Sequence, residues 1–190
     1  MPKTVVFIGG VSYDKERADQ LKTIIESFGY QFVEYEGWKT GEELSKKTIA
    51  QLLDELDAVI EKHQAQYVLG KSLGGGLALL CKNPRIRSMV LWAPAFLFAE
   101  QSNLAEFLHK PFSQFKSTTE VHLGVQDLAG IRIPIRIIHG AKDDKIPLEH
   151  SRQFLPALPT AELLTIPNAG HSTHADIVAK KAVEWFGTHW

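Results

Sequence analysis

The most constraining feature of this chain is a repeated alternation. Short apolar runs rich in β-branched residues give way to stretches with helical spacing. "TVVFIGG" (4–10) is a buried-strand pattern stopped by two glycines. Ala18, Leu21, Ile24, Ile25 and Phe28 then recur at helical intervals from about Asp14, and Gly29 ends the run. "YQFVEYE" (30–36) alternates as a second strand. A long helix is expected over 42–62, with Leu44, Ile49, Leu52, Leu53, Leu56, Val59 and Ile60 on one broad face. "AQYVLG" (65–70), "RSMVLWAP" (87–94), "IPIRIIHG" (133–140) and "AELLTIP" (161–167) are the next four strands. Helices are expected over 147–155 and in the closing "THADIVAKKAVEWFGTHW". Strand–helix alternation predicts a three-layer α/β/α architecture around a mostly parallel six-stranded sheet. Sites on such sheets lie at the carboxyl ends of the strands.

The 190 residues suit a single domain, 1–190, with an ample core, and no linker or internal repeat interrupts them. One segment breaks the rhythm. Residues 95–130 separate the fourth strand from the fifth by more than a usual connection, and carry Phe96, Phe98, Phe107, Phe112 and Phe115. They are expected to form either a crossover helix with a loop or a small cap over the site. A formal net charge of -1 gives no global field to attract nucleic acid or an anionic membrane. No apolar run is long enough to span a bilayer, and the N-terminal run is too short for a signal peptide. Cys81 is the only cysteine, so no internal disulfide forms, which suits a cytoplasmic protein.

"YVLGKSLGGG" (67–76) admits two chemistries. A phosphate-binding loop needs a glycine five residues before Gly70, and Ala65 stands there. The intervening Gln66-Tyr67-Val68-Leu69 is strand-like, which leaves no backbone cradle. G-x-G-x-x-G fails as well, because Leu79 occupies the third glycine's place. G-x-S-x-G, by contrast, is met at every position by Gly70-Lys71-Ser72-Leu73-Gly74, between a strand and a helix start. A serine nucleophile needs a base, and the base needs an acid to orient it. "HGAKDDKIP" ends the fifth strand and "PNAGHSTH" follows the sixth, so each brings the needed residue type to a carboxyl end. Asp143 or Asp144 is the acid on this reading, and His171 or His174 the base.

With "GKSLGG", "HGAKDDKIP" and "NAGHS" in this order, the chain resembles the α/β-hydrolase superfamily over nearly its whole length. It is similar to the small, minimal esterase-like members that lack the first two strands. The resemblance implies a serine hydrolase that cleaves a carboxylester or thioester of a small apolar acyl group through an acyl-enzyme. It implies Ser72 as nucleophile, Asp143 as acid and His171 as base. It further implies an oxyanion hole of backbone N–H groups from Leu73 and from the loop after the first strand, with Val11 the expected donor and Gly10 next. Gly9-Gly10 stand where the family usually has His-Gly.

No cofactor or metal is expected; His63, His109, His122, His150 and His189 show no ligand spacing. The expected partner is a small ester or thioester. The bland alternatives are a helix-capping role for Ser72, core roles for Cys81 and Trp92, and a structural role for His139. A non-catalytic scaffold of the same fold is the competing function. A Ser–Lys dyad of Lys71 and Ser72 is disfavoured, because neighbours on a sharp turn point apart.

Overall fold

The computed structural model describes residues 3–11, 14–95, 128, 130–172 and 174–189. The proposed cap lies almost wholly outside them. Six strands form one sheet: β1 (Lys3–Ile8), β2 (Tyr30–Tyr35), β3 (Tyr67–Lys71), β4 (Ser88–Trp92), β5 (Ile135–Gly140) and β6 (Ala161–Ile166). Their spatial order is β2-β1-β3-β4-β5-β6, and every pairing is parallel. All residues of the central β3 and β4 are buried, which is why they read as unbroken apolar runs rather than alternating ones. β2, at one edge, keeps the alternation of a strand with one wetter face.

Helices cover both faces. α1 (Lys15–Ser27) and α6 (Ala175–Thr188) bury Leu21, Ile25, Val178, Ala182 and Phe186 against Phe7, Tyr67, Leu69, Val90, Trp92 and Ile138. On the other face α3 (Ile49–His63) and α4 (Leu73–Leu80) pack Leu52, Leu56, Ile60, Leu73 and Leu77 against Val6, Ile8, Val68, Leu91 and Ile137. α5 (Leu148–Phe154) joins this second face through Phe154. No helix among the described residues is long and apolar enough to cross a membrane.

The single helix expected over 42–62 is instead two, α2 (Gly41–Ser45) and α3. Thr48 adopts an extended backbone and caps α3. Its hydroxyl accepts from the Gln51 N–H, and the Gln51 side chain accepts from the Thr48 N–H. This reciprocal pair satisfies two N–H groups at a helix start and so favours a new helix there over continuation of the old one. Trp38, on the loop between β2 and α2, is buried against Tyr35 with the rings 5.9 Å apart.

Candidate active site

Ser72 stands between β3 and α4 at φ 53° and ψ -117°. A non-glycine residue held there costs about 1–3 kcal/mol and persists only where its surroundings impose it. They do so through the backbone. The Ser72 N–H donates to the Trp92 carbonyl at 2.9 Å, and the Ser72 carbonyl accepts from Ala95 at 2.8 Å and Gly75 at 3.0 Å. The two flanking glycines are steric requirements. A Cβ at Gly70 would strike the Gly74 carbonyl, and one at Gly74 would strike the Ile8 and Gly9 carbonyls. The Ser72 side chain makes no capping bond to α4, so the hydroxyl is not spent on the helix.

Asp143 follows β5, and its side chain is out of contact with solvent. Oδ1 accepts from the N–H groups of Lys145 and Ile146, both at 2.9 Å. Oδ2 lies 2.8 Å from His171 Nδ1 and 3.3 Å from His139 Nε2. Burial alone would raise this carboxyl's pKa. Hydrogen bonds from His139, His171 and the Ile146 N–H outweigh it and hold the group well below the usual carboxylate range. An ionised carboxylate only accepts, so His171 Nδ1 carries a proton, and in the neutral ring Nε2 is then the acceptor. His171 sits in the turn after β6, its side chain 15% exposed. The turns after β5 and β6 are tied together by a bond from the Lys142 N–H to the Ala169 carbonyl at 2.9 Å.

His139 is fully buried at the end of β5. Nε2 donates to the Ile146 carbonyl at 2.8 Å, and Nδ1 meets Ser151 Oγ at 2.7 Å. One histidine therefore braces the loop that carries Asp143 and also touches the carboxylate. Asp144 is exposed, with Lys145 Nζ at 3.5 Å. His174 is not within the last helix but caps its start in a left-handed conformation, φ 63°. The structure thus joins Asp143 to His171 directly. It shows no hydrogen bond between Ser72 and His171.

The loop after β1 reaches Ser72 from the other side. A Cβ on Gly10 would lie 3.4 Å from Ser72 Cβ and 3.8 Å from Ser72 Oγ. The Gly74 N–H donates to the Gly9 carbonyl at 3.1 Å, pinning this loop to the elbow. The N–H groups of Leu73 and Val11 make no backbone hydrogen bonds among the described residues. Trp38 supports the loop as well: its indole Nε1–H donates to the Gly10 carbonyl at 2.9 Å in a buried setting. No sequence motif marks that contact, which spans 28 positions.

Trp92 is buried at the end of β4, as a core aromatic should be. Cys81 lies at the C-terminal cap of α4, half-buried, with Asp57 Oδ1 3.7 Å from its sulfur, rather than in the core.

No family model matches the sequence, and no curated protein matches it. Solved structures do match in shape. Est1E from Butyrivibrio proteoclasticus superposes with a TM-score of 0.79 at 18% identity, over 98% of this chain and 88% of its own. MGS-MChE2, an α/β hydrolase from a sediment metagenome, gives 0.75 at 19%, covering 99% and 92%. A monoacylglycerol lipase from Paleococcus ferrophilus gives 0.73 at 16%, covering 98% and 95%. At such identities the likeness is one of fold, and the chain has the α/β-hydrolase fold.

Proposed function

We propose that the protein is a serine hydrolase that cleaves a carboxylester or thioester of a small apolar acyl group. The observation that carries this reading is the 2.8 Å bond between His171 Nδ1 and Asp143 Oδ2. It leaves an acceptor nitrogen on the same sheet edge as a serine whose backbone is forced into an unusual conformation and whose hydroxyl caps nothing.

In this mechanism Ser72 Oγ attacks the substrate carbonyl and His171 Nε2 takes its proton. The resulting oxyanion is held by the N–H groups of Leu73 and Val11, with Gly10 beside them. Collapse expels the alcohol or thiol, which takes the proton from His171 and leaves Ser72 acylated. Water then repeats the cycle and releases the acid. Asp143 stays ionised throughout, orients the imidazole and stabilises its cation. Residues 1–190 act as one domain. Two features favour this over a scaffold of the same fold. The serine backbone strain is retained, and a buried carboxylate is set on a histidine. A fluorophosphonate probe should label the wild type and spare Ser72→Ala. Equal labelling of both would remove Ser72 from the role.

A further inference from the structure

Lys71 fills the variable position of the serine motif, and the triad chemistry makes no use of its side chain. It is 9% exposed. Tyr67 and Leu69 precede it at two-residue intervals on the face covered by α1 and α6, so its stem begins on that face. Its ammonium nonetheless reaches the Gly10 loop, which also flanks the serine. Nζ lies 3.7 Å from the point where a Cβ on Gly10 would sit, and Ser72 Oγ lies 3.8 Å from that same point. Among the described residues no carboxylate pairs with Nζ and no acceptor bonds it; its direct contact is the face of Trp92, 5.4 Å to the ring centroid.

The surrounding charges are otherwise engaged. Arg17 stands 6.0 Å from the same indole ring and is bound by Asp14 at the start of α1. Asp143 is saturated by His171, His139 and two backbone donors. A buried ammonium without a counter-ion is costly, and an aromatic face offsets only a fraction of that cost. Burial, and then Arg17, press the Lys71 pKa down to about 8, against the longer-range pull of Asp14 and Asp143. One ammonium with no directly paired carboxylate, at the loop that flanks Ser72, can hold one negative charge. A phosphate dianion would ask for a second free cation, and the Arg17 guanidinium is already paired.

We propose that Lys71 is an anion-recognition residue of the site, and that the substrate carries a carboxylate close to the bond that Ser72 attacks. This rests on the hydrolase reading of Ser72. It sharpens the substrate class from a plain acyl ester to a half-ester or half-thioester of a dicarboxylic acid, or an ester with a carboxylate in its leaving group. The ammonium then holds the charged end.

Two matched pairs of esters test it. Methyl hydrogen succinate against methyl pentanoate puts the carboxylate in the acyl group. 4-Acetoxybenzoate against its methyl ester puts it in the leaving group. In wild type at pH 7, at least one pair should favour the anionic member by about tenfold or more in kcat/KM, the effect of one charge-assisted hydrogen bond. The pair that responds tells which side of the bond Lys71 faces. Lys71→Met should bring that ratio close to one, and Lys71→Arg should restore some of it. No preference in either wild-type pair, or a preference that survives Lys71→Met, overturns the proposal. A calorimetric titration of Ser72→Ala with methyl hydrogen succinate separates this idea from the hydrolase reading. Binding that weakens about tenfold or more on adding Lys71→Met, together with a wild type that fluorophosphonate fails to label, would leave the anion site standing and sink the hydrolase. Labelled protein with no Lys71-dependent preference would do the reverse.

Discussion

Replacing Trp38 with Phe removes one N–H from one carbonyl and keeps most of the aromatic surface. The Gly10 carbonyl is buried, accepts that N–H at 2.9 Å, and has no other backbone donor among the described residues. An orphaned buried acceptor costs about 1–3 kcal/mol, and the smaller ring adds some lost packing. For a chain of 190 residues each kcal/mol lowers Tm by about 2–4 °C, so Trp38→Phe should melt roughly 2–12 °C below wild type. Removing an oxyanion donor outright costs about 10²–10³ in kcat. On the proposed mechanism the donor on Val11 is loosened rather than lost, because the Gly74 N–H still holds the Gly9 carbonyl. The expected fall in kcat is therefore smaller, about tenfold, with KM little changed. Tyr35→Phe is the control. It deletes a buried bond from the neighbouring ring to the Leu52 carbonyl, 2.9 Å, which does not touch the loop. It should lose stability and keep its kcat. The assay is thermal unfolding by circular dichroism alongside steady-state ester hydrolysis. If Trp38→Phe melts lower yet turns over like wild type, the indole is a packing element and the loop needs no support from it.

His171→Ala and Asp143→Asn should each cut kcat by roughly three orders of magnitude or more, the acid change being the milder; His174→Ala and Asp144→Asn should stay within a few-fold of wild type, and the reverse ranking would reassign both roles. Because the folded-state pKa of Asp143 is depressed, its stabilising effect is full above the ordinary carboxylate value of about 3.9 and fades as pH falls towards the lower folded value. The Tm gap between wild type and Asp143→Asn should therefore shrink in acid, and a gap that widened below pH 4 would contradict the hydrogen-bond account. If 95–130 caps the site, kcat/KM across p-nitrophenyl esters should climb with acyl length, by about 0.8 kcal/mol per buried methylene, and then fall. Phe96→Ala, Phe107→Ala or Phe112→Ala should shift that maximum, whereas a flat wild-type profile would favour a plain crossover.

The sheet is legible in the sequence because its signals are local. Six apolar runs, punctuated by glycine and proline, mark β1 to β6 within a residue or two. The break before α3 is legible in principle, since Thr48-x-x-Gln51 is a capping-box spacing. The broad apolar face on either side of it masks the stop. The acid–base pair is accessible through motif order, because strand ends converge in a parallel sheet. The Trp38 contact is not, since nothing in a sequence reports which carbonyl an indole will find across a loop. The placement of Lys71 is hidden for a related reason. Cβ directions on a sharp turn do diverge, but four methylenes are enough for the ammonium to reach the Gly10 loop.

β6 pairs with β5 alone, and none of its residues is fully buried. Such a strand is the natural first element to detach when a fold breathes, because fewer apolar contacts oppose its opening. The turn it anchors carries His171, while the pieces around Ser72 hang from the buried middle of the sheet. Warming or mild denaturant would then silence the proposed hydrolysis by swinging the imidazole off its carboxylate while most of the sheet is intact. Cooling would restore it by a short local closure rather than by refolding, so inactivation would run ahead of unfolding and be quickly reversed.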